Sequence, residues 1–348
     1  MTSIVVLVGA GASYDCASPT VAVNNSWRPP LVKDLFSTRL SVVLNQYPLV
    51  QAAAADIRRV TAPDAEDAVQ LEQFLRETMR ASRSPYTQRR YAQVPLYLQP
   101  VMHTVSTNFT SEPDNYNALL NAVLELDDVL FLSLNYDTLL DGRLAIYSPI
   151  DSLDSYIHSD PQWALVKLHG SADWARPIVL EDGPNSTGQL AIANSIVDSL
   201  PRAILSAARP ISFHPAGDLS LSRYDLHTRT LYYPALALPL GEEDELVCPD
   251  EHVEEARTRL ARMDGLNILV LGYSGIDTEV LRLLAEAGQK VKTLRIVNGD
   301  FEMGQLTLDR ISSALRLDVG SDRSSIFAGG FTDAVTTGDL QKWVRSLT

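Results

Sequence analysis

A chain of 348 residues exceeds one average domain, yet an elaborated α/β domain reaches this length around one core. Its 45% hydrophobic content is ordinary for a globular protein, and no stretch approaches the roughly 20 apolar residues that span a bilayer. The formal net charge of −14 opposes a phosphate backbone, so direct nucleic-acid binding is not expected, despite a local basic stretch at Arg80 to Arg90.

The first predicted element is a strand, Ser3 to Val8, β-branched and apolar throughout, as in a parallel strand covered on both faces. No basic segment precedes it, so no secretory signal is expected. A glycine turn follows, and then apolar residues recur at helical spacing over Leu31 to Asn45, Asp64 to Ser82 and Asn115 to Leu126. Pro29, Pro30 and Pro63 punctuate the starts, and residues 31–126 read as a helical insertion. Asp128 to Leu134 is a second buried-type strand, followed by a helix opening with Thr138, and Trp163 to Leu168 is a third. Residues 176–249, rich in Pro, Gly and Ser with weak periodicity, read as a small irregular subdomain. Strands Ile268 to Leu271 and Thr293 to Val297 follow, and a helix from Thr332 to Trp343 ends the series. Strands alternating with helices imply an α/β fold with a Rossmann-like parallel sheet, residues 1–348 forming one catalytic domain.

Ligands of such sheets bind beyond the carboxyl ends of the strands, and each predicted strand here ends in polar or glycine residues. Gly9-Ala10-Gly11-Ala12-Ser13 suits close backbone approach to a pyrophosphate, with a helix N-terminus behind it; equally, it makes a plain turn. A standard dehydrogenase is disfavoured, because Tyr14 interrupts G-x-G-x-x-G and no strand ending in an acid follows about twenty residues on. Asn135 and Asp137 suit ribose hydroxyls and a water beside growing positive charge, or a turn and a helix cap. His169, at a strand end beside glycine, is a candidate general base or a structural histidine. Gly272 and Ser274 suit phosphate or ribose, with Asp277 capping the next helix, and Asn298 suits a second ribose or a turn.

The ordered series GAGAS, LNYDTLLD, KLHGSADW and LGYSGID resembles the sirtuin-like NAD-consuming domains of bacterial antiphage defence proteins. The resemblance runs from Ile4 to about Asn298 and implies a sirtuin-type sheet that takes NAD as substrate. It implies that Gly9, Gly11 and Ser13 cradle the NAD phosphates, with Ala10 and Ala12 in the same turn. Asn135 and Asp137 match the essential Asn and its acid, His169 the HG histidine, Gly272 and Ser274 the later loop, and Asn298 the late asparagine. Deacylating sirtuins carry a zinc module of two paired-cysteine sequences, but this chain has two isolated cysteines, Cys16 and Cys248. A module without zinc, no metal ligands and a reducing, cytoplasmic location are therefore expected. The sirtuin Pro-Asp-Phe-Arg segment is replaced by DCASPTVAVNNSWRPP, where Asn24, Asn25 and Arg28 are the candidates for its role.

The expected activity is hydrolysis of NAD to nicotinamide and ADP-ribose, with Asn135 orienting ribose and water and His169 accepting a proton. A bulky residue at Gly11 is expected to block the pyrophosphate. The resemblance implies an antiphage effector gated by homo-oligomerisation or by a separately encoded HerA-like ATPase or short Argonaute. The rivals are an NAD-dependent protein deacylase, disfavoured by the missing zinc module, and a non-catalytic module that senses NAD or ADP-ribose.

Overall fold

Runs of Val, Ile and Leu without polar alternation have no solvent face to offer, so they settle in the middle of a sheet with helices on both sides. The computed structural model describes residues 2–16, 26–31, 34–60, 84–180, 189–206, 211–214, 224–237, 247–286, 291–317 and 324–348. Its strands are β1 Ser3–Val8, β2 Asp128–Ser133, β3 Trp163–Lys167, β4 Gly170–Val179, β5 Ser212–Phe213, β6 Tyr224–Asp225, β7 Thr230–Leu236, β8 Leu266–Leu271, β9 Val291–Val297 and β10 Ser324–Phe327.

The chain divides into two compact units. The first holds residues 1–29, 108–169 and 248–348 and contains a parallel sheet of six strands among the described residues, in the order β10-β9-β8-β1-β2-β3. Counted along the chain this is the 3-2-1-4-5-6 order of the dinucleotide-binding fold, whose crevice lies where the order reverses, here between β1 and β8. Residues of β1, β2, β3 and β8 are buried throughout. β10, which the sequence pattern did not reveal, is an edge strand of four residues. At the amino end of β2, buried Arg259 binds Asp128 at 2.7 Å and Glu255 at 2.8 Å, and Arg262 reaches the other Asp128 oxygen at 2.8 Å. These pairs tie helix Asp250–Arg262 to the edge opposite the strand ends read as the site.

The second unit holds residues 30–107 and 170–247. Its sheet is antiparallel, β5-β4-β7-β6, with helices Pro48–Val60, Pro85–Ala92, Val94–Asn108 and Gln189–Ser206. Buried Gln99 donates from Nε2 to the carbonyls of Ala172 at 2.5 Å and Trp174 at 3.1 Å, fixing helix Val94–Asn108 on β4. Tyr233 donates to the Ala92 carbonyl at 2.9 Å. At Gly170, φ is +82° and an added Cβ would lie 1.9 Å from the Ala235 carbonyl oxygen, so glycine is required there.

Several elements differ from the sequence reading. The helix expected over Leu31 to Asn45 is broken into a 3-10 turn, Thr38–Leu40, and one α turn, Ser41–Leu44, while Pro48–Val60 is the continuous helix. Asp64 to Ser82 and Pro63 lie outside the described residues. Residues 108–126 of the expected helical insertion, including Asn115–Val123, belong to the unit of the parallel sheet. The stretch 176–249, read as irregular, contains helix Gln189–Ser206 and β7, whose regularity comes from pairing with β4. The final helix is two, Gly330–Thr336 and Asp339–Arg345, because Gly338 sits at φ +71° between them. In the basic stretch, Arg89 and Arg90 are paired with Asp198 and Asp56, which offsets their charge.

A buried histidine gives the unit of the parallel sheet a pH dependence. His252 is 1% exposed, its Nε2 bonds the Leu153 carbonyl at 2.8 Å, and burial lowers its pKa to about 4. The unfolded chain takes up the proton below about 6.5 and the folded chain resists it. The stability contribution is therefore whole above about pH 6.5 and is lost as pH falls toward 4. Denaturant titrations should show that His252→Gln loses about 2 kcal/mol less than wild type between about pH 7.5 and 5. Equal losses in both proteins would assign the pH dependence elsewhere.

Candidate active site

Backbone hydrogen bonding continues past the strand ends and locks the carboxyl edge of the parallel sheet into one surface. Gly9 N–H donates to Leu271 at 2.9 Å, Gly11 N–H to Gly272 at 3.0 Å, Leu134 N–H to Val8 at 2.9 Å and Leu168 N–H to Ser133 at 2.9 Å. The glycines make the first of these contacts possible. An added Cβ at Gly9 would sit 2.6 Å from the Gly272 oxygen, and one at Gly11 would sit 2.9 Å from the Gly272 Cα. At Gly272, φ is +56° and a Cβ would lie 2.0 Å from the Ala12 nitrogen. The glycines of the GAGAS and GYS turns therefore serve each other's backbone. Ala10 is exposed and Gly11 half-buried, whereas Ala12 and Ser13 are buried.

Ser13 is turned into the protein. Its hydroxyl accepts from Asn135 Nδ2 at 3.0 Å and lies 2.7 Å from the Tyr116 hydroxyl. Ser13 is 0% exposed, Tyr116 1% and Asn135 5%. Asn135 N–H donates to Ser133 Oγ at 3.2 Å, which fixes the main chain directly after β2, while Oδ1 of the same side chain is buried without a partner. Asp137 accepts from Leu139 N–H at 3.2 Å, at the start of helix Leu139–Leu144. Burial raises its pKa against the opposing pull of Lys167 and of the Ser13 hydroxyl. Lys167, fully buried at the end of β3, donates to the Asp137 carbonyl at 2.6 Å and to both Asp141 oxygens at 3.1 Å, and Tyr156 donates to Asp141 at 3.0 Å. A buried ammonium needs such compensation, since one left unpaired costs several kcal/mol. Residues following β1 and β2 and the last residue of β3 thus share one interior network.

His169 follows β3 and meets a residue of the β8 loop. Its Nε2 lies 2.5 Å from Asp277 Oδ2, with side chains 14% and 19% exposed. The sequence assigns Asp277 a capping role alone, and it does accept from Val280 N–H at 3.0 Å at the start of helix Thr278–Glu286. Burial pushes its pKa up, but the His169 hydrogen bond and charge, with the N–H groups of Val280 and Glu279, hold it below the usual carboxylate value. Tyr273 steadies the same turn by accepting from Asp277 N–H at 3.0 Å. The Tyr136 ring stands 6.5 Å from the imidazole, so the residue next to Asn135 adjoins His169. A carboxylate bonded to an imidazole orients it and stabilises its protonated form, the arrangement a general base needs.

The remaining candidates are more peripheral. Asn298 Oδ1 accepts from Asp300 N–H at 3.2 Å, and Asp300 caps helix Phe301–Ala314. Ser274 is half-buried and its carbonyl accepts from Arg310 at 3.0 Å. Arg28 donates to the Tyr14 carbonyl at 2.7 Å and lies over the Tyr14 ring, whereas Asn24 and Asn25 are outside the described residues. Tyr116, Lys167, Asp141 and Asp277 carry the network without having been singled out for it. Asp141, Lys167 and Asp277 stood within the quoted motifs, but only the fold brings 116 beside 13 and 277 beside 169.

Among the described residues no group of three or more His, Cys, Asp and Glu side chains is placed to hold a metal ion, and no helix is long and apolar enough to cross a membrane. No protein-family model matches the chain, and no curated protein matches it. Solved structures do. A triple mutant of a Sir2 homologue in complex with 2′-O-acetyl ADP ribose is 14% identical, with 99% of this chain and 92% of that one covered and a TM-score of 0.44. A Sir2 homologue in complex with NAD is 15% identical over 99% and 91%, with a TM-score of 0.41. A Sir2 protein bound to a myristoylated histone peptide is 15% identical over 99% and 93%, with a TM-score of 0.39. The chain is thus similar to these Sir2 proteins along nearly its whole length, at low sequence identity.

Proposed function

We propose that this chain is a sirtuin-like NAD hydrolase that cleaves the bond between nicotinamide and ribose to give nicotinamide and ADP-ribose. The observation that carries the reading is the pairing of His169 with Asp277 at the carboxyl edge of a 3-2-1-4-5-6 sheet, together with an Asn135, at the end of the neighbouring strand, whose buried Oδ1 lacks a protein partner. An orphaned buried acceptor is costly unless a ligand or water completes it, and a ribose hydroxyl or attacking water is such a donor. In this reading the turn from Gly9 to Ala12 and the loop of Gly272 and Ser274 face the phosphates, Asn298 faces the second ribose, and His169 takes the proton. Asp137 and Ser13 support Asn135 from within. No step requires a metal.

The ordered motifs further support an effector of antiphage defence, cytoplasmic and gated, as a homo-oligomer or through a HerA-like ATPase or short Argonaute partner. Gating is the physical requirement here, since an ungated NAD hydrolase depletes its own cell.

The test is product analysis with the purified chain, alone and with candidate partners, in the presence and absence of acetylated peptide. Nicotinamide should appear with an equal amount of ADP-ribose, independent of peptide. Release only with peptide, yielding O-acyl-ADP-ribose, replaces the hydrolase by a deacylase. NAD binding without cleavage under every condition replaces it by a sensing module.

A further inference from the structure

An asparagine side chain carries a donor and an acceptor on one planar group, and which of them meets the substrate is set by what holds the other. Here Nδ2 of Asn135 is held, donating at 3.0 Å to Ser13 Oγ. Ser13 Oγ is itself held by the Tyr116 hydroxyl at 2.7 Å, and the Ser13 hydroxyl also pulls down the Asp137 carboxyl. One hydroxyl serving three neighbours has little freedom to rotate, and all of these side chains are buried. Tyr116 is anchored independently, its ring packed edge-on against Phe331 with centroids 5.6 Å apart.

We propose that Tyr116 is a positioning residue for cleavage of NAD: acting chiefly through Ser13, it fixes the Asn135 amide so that Oδ1, an acceptor, is the atom offered to the ribose hydroxyl or the attacking water. The proposal rests on the hydrolase reading and deepens it. Burial holds the Tyr116 phenol well above its ordinary titration range, so its hydroxyl keeps its proton wherever the protein is folded. Loss of that hydroxyl leaves the ring packing intact and frees the Ser13 end of the chain.

Tyr116→Phe tests this with two readouts. The first is the side-chain amide NMR signal of Asn135, identified by its absence from Asn135→Asp. In Tyr116→Phe it should shift and exchange faster with solvent, while the melting temperature changes little. The second is kinetic. A drop in kcat of about tenfold with KM changed less than about threefold is expected for one lost hydrogen bond that acts on orientation. In a Ser13→Ala background Tyr116→Phe should add clearly less than it costs alone, because the path through Ser13 is already cut and only the direct influence of the Tyr116 hydroxyl on Asn135 remains. An unmoved amide signal, an unchanged kcat, or a full further loss in the Ser13→Ala background overturns the proposal. Wild-type protein that releases no nicotinamide removes the hydrolase reading instead, and the amide signal still decides whether Tyr116 holds Asn135.

Discussion

Asn135→Ala and His169→Ala should each lower NAD cleavage by about 10²- to 10⁴-fold while the protein remains folded, the range for losing a positioned acid-base or electrostatic group. His169 is partly exposed and bonded to Asp277, so alanine removes the proposed proton acceptor and leaves a carboxylate that water reaches. That carboxylate also caps helix Thr278–Glu286, and the Val280 N–H remains its partner, so the fold loses little. Asn135 is more deeply set. Its truncation leaves Ser13 Oγ with Tyr116 as its neighbour and removes the acceptor at Oδ1, so the loss falls on the reaction. Steady-state rates on variants with wild-type circular dichroism check both. Near-normal turnover in either folded variant would strip that residue of its assigned role.

Gly272→Ala should destabilise the protein by more than about 4 kcal/mol, a loss confined to a short list of causes, of which overpacking against backbone is one. The residue occupies φ +56°, which alone costs an L side chain about 1 kcal/mol, and the new Cβ would stand 2.0 Å from the Ala12 nitrogen. Backbone cannot rotate away as a side chain can, so the β1 and β8 turns must separate. Gly299→Ala is the control, because nothing lies within 4 Å of its Cβ position. Denaturant midpoints measure the difference, and a Gly272→Ala protein as stable as wild type would contradict the close packing of the two turns. The same contact changes the expectation for Gly11→Val. Its side chain meets the Gly272 backbone before any phosphate, so folding is lost along with NAD affinity.

The strands of the parallel sheet were legible because burial on both faces leaves a run such as Ile4 to Val8 or Leu130 to Leu132 with no polar position. Their carboxyl ends were legible for the same reason, since the cluster of polar and glycine residues that closes such a run must stand near the sheet's edge. Asn135, His169 and the two glycine turns follow from that rule and from the motif order alone. β10 was not legible. An edge strand of four residues is stabilised on one side only and leaves no sustained pattern.

What the sequence by itself determined is the parallel α/β sheet and the residue types at its carboxyl edge, because both depend on local pattern: unbroken apolar runs and the glycine, amide or imidazole that follows each. Only the tertiary structure decided the partners. Asp277 lies 108 positions from His169, Tyr116 lies 103 from Ser13, and Lys167 lies 26 from Asp141. Tertiary structure also revealed that the glycines of two turns are required by each other. Such pairs carry no periodicity, because a hydrogen bond constrains two side chains in space and leaves the chain between them free.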